Sequence, residues 1–195
     1  MTIADDCVIP LFPLHTVLFP GGPLPLRIFE TRYTDMVRRC MREQRPFGVL
    51  LIRDGEEAGE VSTTATVGCS ARIADFNMLT DGFLGISCVG ERKFSVLRLW
   101  RAADGLNMAE VEWLAPEVAL ALPAEYARLG DTVRRALDEL AEVYALIEKK
   151  FDDAAWVGAR LAELLPIDLG DKQALLELDD PIARLDELLR VVPEG

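Results

Sequence analysis

The sequence predicts an α+β protein in which a strand-rich first half carrying one helix is followed by a helical second half. Three observations predict it. Five of the eleven prolines fall between Ile9 and Tyr33. Short runs rich in Val, Thr and Ile, separated by Gly or Asp, then follow as far as Trp113, and beyond Ala115 the apolar residues recur at three- and four-residue steps. The expected division is residues 1–115, strand-rich, and 116–195, helical.

Each element has its own warrant. Pro10, Pro13, Pro20, Pro23 and Pro25 each remove an N–H and steer the preceding residue out of the α region, so Ile9 to Ile28 is expected to be extended with breaks. Pro20-Gly21-Gly22-Pro23 supplies a turn with glycines free to take positive φ. Tyr33, Met36, Val37, Cys40 and Met41 then repeat at the spacing of one buried helical face. Phe47 to Ile52 reads as a buried strand, and Val61 to Ile73 is rich in Thr and Val. Thr80-Asp81-Gly82, within Met78 to Val89, marks a hairpin. Lys93 to Arg101 and Met108 to Trp113 complete a curved, mainly antiparallel sheet. From Pro123, the series Tyr126, Leu129, Val133, Leu137, Leu140, Tyr144, Ile147 and Phe151 predicts one long helix. Ala154 to Leu165, stopped by Pro166, then Asp171 to Leu178 and Pro181 to Val192 predict three shorter ones. Asp180 serves as N-cap and Pro181 as first helical residue of the last.

With 195 residues, half of them apolar, the chain has enough core to remove roughly 70% of its unfolded surface on folding. Its net charge is −12, divided as 12 basic and 15 acidic side chains in 1–114 against 9 and 18 in 115–195. Such a balance repels polyanions, so neither nucleic acid nor an acidic membrane surface is an expected partner. Met1 to Asp6 carries two acids and no base, unlike the start of a signal peptide, and no apolar run approaches the ~20 residues of a spanning helix. A cytoplasmic location is expected. Cys7, Cys40, Cys69 and Cys88 are scattered without CxxC spacing and read as reduced, mostly buried thiols.

Few residues of the sequence offer chemistry. His15 is the single histidine, so a triad or a zincin lacks its parts. The carboxylate pairs Glu56/Glu57 and Asp179/Asp180 read as loop and cap residues, and no metal or cofactor is expected. The sequence contains no phosphate-cradling P-loop. Lys93 and Ser95 are ordinary same-face neighbours on a strand. Trp100, Trp113 and Trp156 read as core aromatics. Arg38, Arg39, Arg42 and Arg45 form the solvated side of the first helix or, alternatively, a contact for an acidic partner segment. An enzyme reading would need Cys69 or Cys88 activated beside an acid.

A family resemblance sharpens this. The segments Pro10-Leu11-Phe12-Pro13-Leu14, Val17-Leu18-Phe19-Pro20-Gly21, Leu24-Pro25-Leu26 and Ile28-Phe29-Glu30-x-Arg32-Tyr33 carry it. So do Phe47-Gly48-Val49, Val67-Gly68-Cys69, Asp81-Gly82, Gly90-Glu91-Arg92-Lys93-Phe94, Trp156-Val157, Leu161 to Pro166, and Lys172-Gln173-x-Leu175-Leu176-Glu177. Together they resemble the LON substrate-binding domain, the N-terminal module of ATP-dependent Lon proteases. The resemblance implies a PUA-like pseudobarrel with one inserted helix, followed by a C-terminal helical bundle. It also implies a non-enzymatic protein- or peptide-binding module, because Lon's ATPase and serine-lysine protease lie in later domains. The implied partner is an unfolded or extended polypeptide segment, or a protein of the proteolysis system. A scaffold for one folded partner, and a small-ligand or RNA-binding PUA-like protein, are the alternatives. Pro20, Gly21, Glu30, Arg32, Tyr33, Gly90 and Arg92 match the family motif and are expected to be structural, with Arg92 as a salt partner for Glu30.

Overall fold

A computed structural model of the chain describes residues 7–55, 57 and 61–192, so Glu56 lies outside the described residues. The chain divides into two compact units, Met1–Ala115 and Pro116–Gly195.

The first unit contains the strands β1 (Val8–Leu14), β2 (Pro23–Ile28), β3 (Phe47–Gly55), β4 (Val61–Thr64), β5 (Val67–Met78), β6 (Leu84–Arg101) and β7 (Asn107–Trp113), with helix α1 (Thr31–Glu43) inserted after β2. They form one sheet of order β1-β7-β6-β5-β3-β4, and a further pairing of β1 with β3 closes five of them into a ring. The closing pair is parallel, while the other pairings are antiparallel. The hairpin expected at Thr80-Asp81-Gly82 joins β5 to β6, and the run Lys93 to Arg101, expected as a separate strand, is continuous with the Leu84 to Val89 arm of that hairpin in one long β6. Its first half takes β2 on one edge and its second half takes β7, so a single long strand serves both ends of the sheet.

Alternation along β1 and β3 sends side chains to two apolar clusters on opposite faces. Phe12, Leu14, Phe47 and Val49 join Tyr33, Met36, Val37 and Cys40 of α1. Ile9, Leu11 and Leu50 join Phe94, Ala109 and Val111. The second cluster depends on two glycines. A Cβ on Gly68 would stand 2.3 Å from the Val49 carbonyl oxygen, and one on Gly48 would stand 2.7 Å from Phe94 Cζ, so only glycine lets the Phe94 ring lie against the backbone here.

Helix α1 ends where Gln44 takes a left-handed conformation and the N–H groups of Gln44 and Arg45 both reach the Cys40 carbonyl, just before Pro46. Met41, expected on the buried face, is exposed instead.

The second unit contains a 3-10 turn at Ala124–Tyr126, then α2 (Ala127–Glu139), α3 (Ala154–Leu164), α4 (Leu169–Glu177) and α5 (Pro181–Val191). The helix expected to run on to Phe151 stops at Glu139. Its last turn carries no basic residue and holds Asp138 and Glu139, which the negative end of the helix dipole disfavours. Isolated turn bonds follow, Tyr144 N–H to Leu140 O at 3.2 Å and Ile147 N–H to Tyr144 O at 3.1 Å. These turns hold Tyr144 and Ile147 inward at near-helical spacing, which is why the periodicity outlasts the helix. The shorter helices lie as expected. Asp153 caps α3 through the Trp156 N–H, and Asp180 caps α5 through the N–H groups of Ile182 and Ala183.

The helical unit also buries arginines. Arg184 is fully enclosed: its Nη1 and Nη2 donate to Glu117 at 2.8 and 2.7 Å, its Nε donates to Leu175 O at 2.8 Å, and Nη2 also donates to Leu178 O. This one side chain fastens the segment entering the unit to the C-terminal end of α4 and to α5. Arg160 makes a similar fork with Glu163 at 2.8 and 2.9 Å.

Candidate functional site

An exposed apolar groove of the strand-rich unit lies between α1 and the tip of the β5–β6 hairpin. Thr34, Val37, Arg38 and Met41 line one wall, at the spacing of a single helix face. Phe76, Met78, Gly82, Phe83 and Leu84 line the other, and Ile28 and Phe29, at the end of β2, complete it. The volume is about 560 Å³, within the range of ligand-binding clefts.

A β-bulge creates the second wall. Register shifts between Ile73 and Asp75, so that Ile73 lies opposite Cys88, Phe76 opposite Ile86 and Met78 opposite Leu84. The extra residue reverses the alternation and places Phe76 and Met78 on the sheet face that carries buried Ile86 and Cys88. The apolar face under α1 thus continues past the helix into solvent, where Phe29 is 60%, Phe76 55% and Met78 68% exposed. At the tip, the Arg27 guanidinium lies 4.6 Å over the Phe83 ring and 3.1 Å from Asp81, and the Phe83 N–H donates to Asp81 Oδ1 at 3.0 Å. These contacts fix the hairpin end that forms the wall.

The motif residues gather elsewhere in this unit. Gly21, at φ 71°, donates its N–H to Gly90 O at 2.7 Å, and Gly90 N–H reaches Gly22 O at 2.9 Å. A Cβ on Gly90 would stand 2.2 Å from Phe19 O, so the Pro20 turn and the Gly90 segment meet backbone to backbone. Glu30 pairs with Arg32 at 2.9 Å, which corrects the expected partnership with Arg92. The Arg92 side chain stacks over Trp113 at 5.0 Å, and the Arg92 backbone N–H donates to the buried Ser70 hydroxyl at 3.1 Å. A partner adjacent in sequence at the helix entrance outcompetes one held on another strand. Arg32 also donates to Gly105 O at 3.2 Å and lies over the Tyr33 ring, which stacks on Phe12 at 3.9 Å.

The candidate catalytic and ligating residues are dispersed. His15 is exposed, and its backbone N–H donates to Glu57 Oε1 at 2.6 Å. Burial pushes the Cys40 thiol up to about 11 and the Cys88 thiol up to about 12, and Cys69 donates to Ser70 O at 3.4 Å. Trp113 packs edge-on against Phe94, and Trp156 against Phe151. Arg38 and Arg42 point to solvent beside Asp35 and Glu43, while Arg45 reaches Val8 O at 3.3 Å. Among the described residues, no three His, Cys, Asp or Glu side chains stand close enough to hold a metal ion. No described helix is long and apolar enough to cross a membrane.

Compared with known proteins, residues 8–193 match the family model of the ATP-dependent protease La (LON) substrate-binding domain. The chain belongs to this family. A Lon N-terminal domain protein from Xanthomonas campestris superposes on the LON chain with a TM-score of 0.78 at 41% identity, covering 95% of this chain and 99% of that one. The N-terminal domain of Lon protease from Mycobacterium avium complex shares the fold, with a TM-score of 0.61 at 17% identity over 94% and 96% of the two chains. Cereblon from Xenopus tropicalis is 31% identical over 68% of this chain, and that from Gallus gallus 30% identical over 67%. The LON chain matches only 30% and 29% of the length of these two relatives. Every motif residue and the whole strand-unit groove lie inside the matched LON region.

Proposed function

We propose that the chain is a non-enzymatic polypeptide-binding module, and that the groove between α1 and the β5–β6 hairpin takes an extended apolar segment of an unfolded protein or of a component of a proteolysis system. The observation that carries this is the continuous exposed strip of Phe29, Met41, Phe76, Met78 and Phe83. Apolar side chains left in water gain nothing from burial, and exposed apolar patches of this kind mark interaction sites. Flexible methionines beside aromatic rings suit a surface that accepts varied apolar side chains. Membership of a substrate-binding family supports the same reading. The raised thiols of Cys40 and Cys88 speak against a thiolate enzyme, and four free cysteines fit a reducing cytoplasm. Pro20, Gly21, Glu30, Arg32, Tyr33, Gly90 and Arg92 then serve to hold the fold rather than to touch the bound segment.

The test is fluorescence anisotropy of the intact chain with a library of unfolded, labelled peptides. Apolar and aromatic members should be retained, and Phe76→Ser with Met78→Ser should weaken them by about tenfold or more while leaving thermal stability nearly unchanged. Retention of no peptide, or equal binding by the double variant, overturns the reading.

A further inference from the structure

A second groove, entirely within the helical unit, is aliphatic and carries acids rather than a base at its edge. It lies along α4 and α5 and is lined by Ile167, Ala174, Leu175, Leu178 and Val191, with a volume of about 430 Å³. Among the described residues, its charged lining consists of Asp171 and Glu187. Helix α4 presents exposed Ala174 and buried Leu175 to the groove, while Leu176 is buried outside the groove lining.

We infer that this groove docks a basic amphipathic helix of a partner protein. Charge complementarity selects the sign. Residues 115–195 hold 18 acidic and 9 basic side chains, and two of the basic ones, Arg160 and Arg184, are buried against their own carboxylates. Arg190 pairs with Glu187 at 2.6 Å, but both side chains are mostly exposed, and such a pair is weak enough to exchange for a partner's lysine. Backbone geometry selects the shape. Both walls are helices whose interior N–H and C=O groups bond within the helix, so there is no strand edge for an extended peptide to pair with. The carbonyls of Leu175 and Leu178 are occupied by Arg184. Recognition is left to side chains, and a helix placing aliphatic residues at i, i+3 or i+4, and i+7 fits into a helix–helix groove by ordinary ridge packing. Lysine or arginine flanks would then meet Asp171 and Glu187.

The inference is independent of the strand-unit groove, and the experiment keeps the two apart. The intact chain is titrated with a synthetic amphipathic peptide carrying leucines at helical spacing and lysines elsewhere, beside a scrambled peptide of equal composition and a version with glutamate for lysine. The periodic lysine peptide should bind, gain helical circular dichroism on binding, and weaken as salt rises. Asp171→Lys with Glu187→Lys should weaken it about tenfold and raise the affinity of the glutamate peptide. Ala174→Trp, which fills the groove, should abolish binding. The charge-reversal pair is on the surface and keeps the test valid should the tryptophan variant fold poorly. Equal binding of the scrambled peptide, indifference to the charge reversal, or loss of binding in Phe76→Ser with Met78→Ser instead would overturn the inference.

Discussion

In the strand-rich unit the closest backbone approaches fall on glycines, and in the helical unit two arginines are buried among carboxylates and carbonyls. Gly48, Gly68 and Gly90 each sit where a Cβ would meet an atom closer than 3 Å, because strands, an aromatic ring and a turn approach one another there. Arg160 and Arg184 sit where helix ends and an incoming segment leave carbonyls and carboxylates to be neutralised. One unit is specified by close packing of backbones, the other by charge-assisted hydrogen bonds in a buried setting. Their grooves differ in the same way: the first has aromatic and methionine walls with Arg38 at its edge, and the second an aliphatic floor between two acids.

The largest expected effect tests the ionic half of this comparison. Glu117→Ala leaves the Arg184 guanidinium buried without its carboxylate, and should cost about 3–5 kcal/mol in denaturant unfolding. Hydrogen exchange should report the loss in α4 and α5 and not in β5 or β6; a uniform loss would break the contrast. Somewhat smaller is the packing half. Gly68→Ala should cost about 3 kcal/mol, because the Val49 carbonyl cannot move aside. Gly158→Ala, whose nearest neighbour is the Arg184 Cδ at 3.3 Å, should stay within about 1 kcal/mol of wild type, since the helix gains from alanine.

Alkaline pH separates the units more gently. Cys40 and Cys88, raised from 9.0 to about 11 and about 12 by burial, bind their protons more tightly folded than unfolded. Their stabilising contribution is complete below pH 9 and is lost as pH climbs through those higher values. In the helical unit Tyr126, raised from 10.0 to about 12 by its hydrogen bond to Asp186, and Tyr144, raised by burial, behave alike but from pH 10. Unit-resolved exchange should therefore show the strands weakening about one pH unit before the helices. The smallest effect is Arg38→Ala: its exposed pair with Asp35 should contribute less than about 0.5 kcal/mol to melting.

Much of the fold was legible because its signals are local. Proline placement, the Gly82 hairpin, the Asp180-Pro181 helix start and the apolar periodicity of α1, α3 and α5 each act within a few residues. The strand-unit groove was less legible. Phe76 and Met78 follow Ile73 at odd spacing, so a plain alternation puts them on the wrong face, and only the bulge at Ala74 returns them to it. The charged partner of Glu30 went astray for a related reason, since a motif shared by two segments does not say which side chains meet.

By itself, then, the sequence determined the class of the fold, its two-part order, most element positions and the family, all of which follow from local backbone preference and side-chain period. Tertiary structure alone decided the parallel β1–β3 closure, the early stop of α2, the burial of Arg160 and Arg184, and the exposure of the two grooves. Those depend on which surfaces remain uncovered after distant segments have packed, and no local signal carries that information.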